Sequence, residues 1–132
     1  MTRMEKAQIN PWTWQDARGF SQAWKVSGEN SVIFLSGQAP ISPDGQLVGQ
    51  GDFEVQVDQV FHNLRTVLQA AGADLDAIVR ITVFLTDMSK LSDFRTIKAR
   101  HIRGPQPAST AVGVSALAFP GMMIEVEAIA VT

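Results

Sequence analysis

The chain has 132 residues, 45% hydrophobic and 18% charged, with a formal net charge of −2; these predict one globular domain over residues 1–132 and exclude a disordered chain. The slight negative charge supplies no field to draw nucleic acid or an anionic membrane, and the lack of cysteine removes disulfides, thiolate nucleophiles and cysteine-ligated metals together. The N-terminus MTRMEKAQINPW has no signal-peptide core, and nowhere do about 18 apolar residues run together, so a soluble, cytoplasmic protein is expected.

Residues 1–18 read as a polar arm with an Asn10-Pro11 turn, in which Trp12 and Trp14 anchor the arm to the body or, as the alternative, stack on a ligand. Phe20 to Ser27 and Ser31 to Leu35 are β-type runs joined by Gly28-Glu29-Asn30. Ser36-Gly37-Gln38 ends the second run, with a glycine that permits close approach of backbone or ligand, and Pro43-Asp44-Gly45 marks a loop tip. From Asp52 to Ala71, Val57, Val60, Phe61, Leu64, Val67, Leu68 and Ala71 recur at helical spacing opposite a polar face that includes His62. Asp52 is the expected N-cap and Gly72 the expected residue just past the end.

Ile78 to Thr86 predicts a strand with Val79, Ile81, Val83 and Leu85 on one face and Ile78, Arg80, Thr82 and Phe84 on the other. Both faces carry apolar residues, so helices are expected on one side and another subunit on the other. A second helix, Phe94 to about Ile102, is stopped by Gly104-Pro105-Gln106-Pro107. The last stretch, Pro107 to Thr132, holds two β-type runs joined by Ala118-Phe119-Pro120-Gly121. The order β-β-α-β-α-β-β predicts an α+β fold, a mixed sheet with two helices on one face.

The final run carries Glu125 and Glu127, two apart and therefore on one side of a strand. Either Glu125 holds water and moves protons in a half-apolar cleft, where desolvation lifts its pKa, or both acids pair with Arg80 or Arg103 between subunits. Ser109 has no activating base near it in the chain and no GxSxG context, so it reads as a pocket-wall hydroxyl rather than a nucleophile. Arg103 is the basic residue nearest to it in the chain and an alternative anion anchor. His101 is expected to pack or cap near its helix end. Two histidines on separate segments carry no metal-site spacing.

SGQAP at 36–40, LQAAGADLDAIVRITVFLTD at 68–87 and PAST…GVSALAFPGMMIEVEAIAV at 107–131 together resemble the Rid family (YjgF/YER057c/UK114). The likeness runs from about Gly19 to Val131. It implies a chorismate-mutase-like fold, a homotrimer with ligand clefts between subunits, a small-molecule metabolite as partner, and neither metal nor cofactor. Its best-known members resemble 2-aminoacrylate deaminases, built from a carboxylate-clamping arginine, a water-positioning glutamate, a tyrosine and backbone groups after the SGQ strand. Matched motif to motif, the glutamate falls on Glu125, the tyrosine on Phe20, the backbone groups on Ser36 and Gly37, and the arginine of Pro-Ala-Arg on Ser109, with Ala111 further along the same run completing the expected pocket.

The serine is a departure. A guanidinium grips a carboxylate through two charge-assisted bonds of roughly 1.5–3 kcal/mol each, and a hydroxyl offers one neutral bond of about 1 kcal/mol. The chain therefore resembles the subgroups lacking this arginine. Two functions remain open from the residues: a cofactor-free imine or enamine deaminase with a neutral substrate grip, and a non-catalytic metabolite-binding trimer. Ribonuclease activity, credited to some relatives, ranks below both for want of a basic, aromatic-interleaved stripe.

Overall fold

The computed structural model describes residues 4–132, so the first three residues of the N-terminal arm lie outside the described residues. Its elements are β1 (Glu5–Ile9), β2 (Ala23–Ser27), β3 (Ser31–Gln38), α1 (Phe53–Ala70), β4 (Ile78–Leu85), α2 (Leu91–His101), β5 (Ala108–Gly113) and β6 (Ile124–Val131), with a 3-10 turn at Trp14–Arg18. The expected α+β fold is present with one strand added, because the arm contributes β1. The six strands form a single sheet in the order β1-β2-β3-β6-β4-β5. Only β4 and β5 run parallel, joined by the α2 crossover; the other neighbours are antiparallel.

Helix α1 starts where expected: the Asp52 carboxylate accepts from the Val55 backbone N–H. It ends in a Schellman motif, with Ala73 N–H donating to Leu68 O and Gly72 N–H to Gln69 O and Gly72 left-handed at φ 84°. Val57, Val60, Phe61, Leu64, Val67 and Leu68 are fully buried against Ile33, Leu35, Ile81, Val83, Leu85, Ile124 and Val126 of the sheet. Phe94 and Ile97 of α2 join the same core.

Buried amides on α1 were not legible as core positions. The Asn63 side-chain amide donates to Ala39 O and Ile41 O. Gln56 donates to Gly49 O and Gly121 O and accepts from Met123 N–H. One helix thus fixes the loops that follow β3 and precede β6.

The face of β4 differs from expectation at its start. Ile78 pairs with Ala130 and Arg80 with Ile129, so one extra residue, Val79, bulges. The bulge turns Ile78 into the core and leaves Val79 exposed. The sheet face away from the helices carries Trp24, Phe34 and Val131, exposed by 37%, 48% and 43%. No helix among the described residues is long and apolar enough to cross a membrane.

Candidate functional site

Glu125 stands opposite Phe84 in the β6–β4 register, on the helix-free face, between the core residues Ile124 and Val126. Across from it, β3 bulges: Leu35 pairs with Ala128 and Gln38 with Val126, so three steps on β3 match two on β6. The surplus falls at Ser36-Gly37, where the glycine makes room for the carboxylate. A Cβ on Gly37 would lie 2.0 Å from Glu125 Oε1. Burial, and then the Glu127 charge two residues on, raise the Glu125 pKa above its ordinary value. No hydrogen bond or ion pair among the described residues uses its carboxylate; the three ion pairs present are Arg65–Asp74, Arg100–Glu54 and His101–Asp58.

The carboxylate faces a cleft of about 400 Å³ lined by Trp14, Arg18, Phe20, Ser36, Gly37, Ala39, Ala118, Phe119, Met122 and Glu125. Trp14 and Phe20 meet edge to face with centroids 5.6 Å apart. The segment holding Phe20 is strapped to β3: Ser36 N–H donates to Gln22 O at 2.7 Å and Ser36 Oγ to Ser21 O at 2.5 Å.

Beneath it runs a chain of three buried glutamines. Gln38 Nε2 donates to Gln22 Oε1 (2.8 Å), Gln22 Nε2 donates to Gln15 Oε1 (3.1 Å), and Gln15 Nε2 donates to Trp12 O (2.7 Å). This amide relay ties the 3-10 turn carrying Trp14 and Arg18 to the SGQ strand end.

Of the residues expected to act together, Phe20, Ser36, Gly37 and Glu125 share this cleft. Ser109, Ala111 and Arg103 lie elsewhere in the chain. The β4–β5 register aligns Ser109 with Ile81 and Ala111 with Val83, on the helix-bearing face at the sheet's outer edge. Arg103 lines a depression on the helical side with His62, Arg65, Arg100 and His101, and its Nε donates to Arg100 O. Glu127 is exposed and lines a separate hollow with Phe34, Arg80 and Thr82.

His101 packs on Phe61 with ring centroids 4.9 Å apart, and its Nε2 lies 2.7 Å from Asp58 Oδ1. No group of three or more His, Asp or Glu among the described residues is placed to hold a metal ion.

Sequence reasoning missed Arg18, Phe119 and Met122 as cleft residues. Trp12 and Trp14 were expected to share one role, yet Trp12 packs on the core while Trp14 lines the cleft. The one signal pointing to Arg18 is its place two residues before Phe20.

A six-stranded mixed sheet backed by two helices, with a solvent-facing glutamate beside a bulged SGQ strand end, defines a small α+β protein of chorismate-mutase-like fold. The family model described as Endoribonuclease L-PSP matches residues 14–132. The chain belongs to this family, the Rid (YjgF/UK114) family. It is 39% identical over 114 residues to Protein HMF1 of Saccharomyces cerevisiae, covering 86% of this chain and 84% of that protein. It is 38% identical to Protein DfrA of Myxococcus xanthus over the full length of both. Among solved structures, the Rid-family protein YyfA of Yersinia pestis, described as of unknown function, superposes with a TM-score of 0.83 at 38% identity, covering 96% and 98% of the two chains.

Proposed function

We propose that the protein is a cofactor-free imine deaminase whose reacting group is Glu125. The supporting observation is a half-buried carboxylate with raised pKa and no hydrogen-bond or ion-pair partner among the described residues, set beside Gly37 in a cleft of aromatic and apolar walls. A group of that kind accepts a proton near neutral pH more readily than a solvated carboxylate.

Water held by Glu125 adds to the imine carbon: the C–O bond forms, the C=N π pair moves to nitrogen, and the water proton passes to the carboxylate. The carboxyl passes that proton to the nitrogen, giving the carbinolamine; Glu125 then takes the hydroxyl proton and delivers it to the nitrogen as the C=O bond forms and the C–N bond breaks. Imine and water are consumed, carbonyl product and ammonia released, and Glu125 ends as it began. An enamine enters the sequence after tautomerising to the imine. Replacing Glu125→Gln should abolish ammonia release from an imine generated in the assay, with turnover equal to wild type overturning the assignment.

The second reading, a metabolite-binding protein without turnover, draws on Ser109 standing where the family pattern has arginine. It predicts saturable stabilisation by a small metabolite in thermal-shift measurements, with no product formed. Under either reading the working unit is a cytoplasmic homotrimer, in which the open sheet face bearing Trp24, Phe34 and Val131 closes against other copies.

A further inference from the structure

Arg18 and Glu125 are the two ionisable side chains that line the cleft, and they do not pair with each other. The Arg18 Cζ lies 4.3 Å from the Phe119 ring centroid and 5.9 Å from that of Trp14. A guanidinium held by ring faces keeps its planar N–H edge for other acceptors. Among the described residues no side chain or backbone oxygen takes a hydrogen bond from Arg18; Arg65 and Arg100 are in ion pairs, Arg80 donates to Thr110, Arg103 donates to Arg100 O, and Arg95, which like Arg18 makes no such bond, stands on α2 outside the cleft. Its turn is held in place by the Gln15–Gln22–Gln38 relay and ends at Gly19, left-handed at φ 75°.

The cleft therefore has a cation with unspent donors, a half-buried acid, and apolar walls from Trp14, Phe20, Phe119 and Met122. We infer that Arg18 anchors the anionic group of a ligand in this cleft, with the ligand's apolar part against the aromatic wall. This rests on the cleft being the working site. It reverses the expectation, drawn from Ser109, that the grip on substrate is neutral: the charge is supplied from the N-terminal turn instead of the strand.

The test compares a carboxylate with its uncharged isostere, benzoate against benzamide, titrated by NMR into the full chain. Wild type should bind benzoate the more tightly. Arg18→Met, which keeps an unbranched stem over Phe119, should weaken benzoate by about tenfold or more, the worth of a lost charge-assisted bond, and leave benzamide unchanged. Arg18→Lys should recover part of the loss.

The inference is overturned if wild type shows no preference for the carboxylate or binds neither probe at millimolar concentration. It is equally overturned if Arg18→Met binds benzoate as wild type does or loses both probes alike. Glu125→Gln separates this inference from the deaminase reading. Turnover equal in Glu125→Gln and wild type, with benzoate bound by both, removes the deaminase reading and keeps the anchor. Turnover of a carboxylate-bearing imine with unchanged KM in Arg18→Met removes the anchor and keeps the deaminase.

Discussion

Glu125 and Gly37 form a pair in which each explains the other. The carboxylate fills space that any side chain at position 37 would occupy. Gly37→Ala should push the carboxylate aside without strain in the backbone, since Gly37 is not among the positive-φ glycines. The expected result is a native circular-dichroism spectrum with turnover lowered by about 100-fold, the scale of a misplacement near 1 Å.

The raised pKa of Glu125 also has a stability consequence. Below its ordinary value of 4.5 the group is protonated in folded and unfolded chains alike and contributes no difference. As pH rises above that value the unfolded chain loses the proton first, so the folded state binds more protons and stability falls until the folded group also ionises. Glu125→Gln removes this fall. The variant should be more stable than wild type at neutral pH, with the gap closing below pH 4.5 in urea melts at several pH values.

At the scale of elements, polar side chains inside the protein do the positioning. Gln22→Leu would leave Gln15 Oε1 without its donor and take from Gln38 Nε2 one of its two acceptors, the other being Ser36 O. Each orphaned buried group costs about 1–3 kcal/mol, so urea denaturation should show a loss in that range or above. Because the relay holds the turn bearing Trp14 and Arg18, ligand affinity should weaken as well. Asp52→Ala removes the α1 cap and should cost about 0.5–2 kcal/mol, with the cleft unaffected.

Elements differ in how openly they declare themselves. Helix α1 was legible because seven apolar residues repeat at its period, and all seven are buried. Strand β1, Glu5–Ile9, was not: its residues are mostly exposed, and its place comes from backbone pairing with β2, which needs no apolar alternation. Gln56 and Asn63 are polar yet nearly inaccessible, because the carbonyls they satisfy come from loops distant in the chain.

For the whole molecule, the open sheet face sets the expectation of assembly. Trp24 pairs with Phe34 in register, and Phe34 with Ile129, so three strands place large apolar side chains in one row. On the proposed trimer, Phe34→Asp should put a charge in the middle of that row and shift sedimentation from trimer to monomer; a variant that sediments as wild type does would locate the contact elsewhere.

Local periodicity and short motifs in order suffice for the element types from β2 to β6, the core face of α1, the α+β class and the family likeness. The sequence also marked Phe20, Ser36, Gly37 and Glu125, which the fold brings to one cleft. That Val79 faces out, that Ser109 and Glu125 project from opposite faces of the sheet, and that Arg18 enters the cleft follow from the folded arrangement alone. The reason is geometric: a one-residue bulge reverses side-chain alternation, and convergence of distant residues depends on strand order and on loops held by buried amides, which no local pattern encodes.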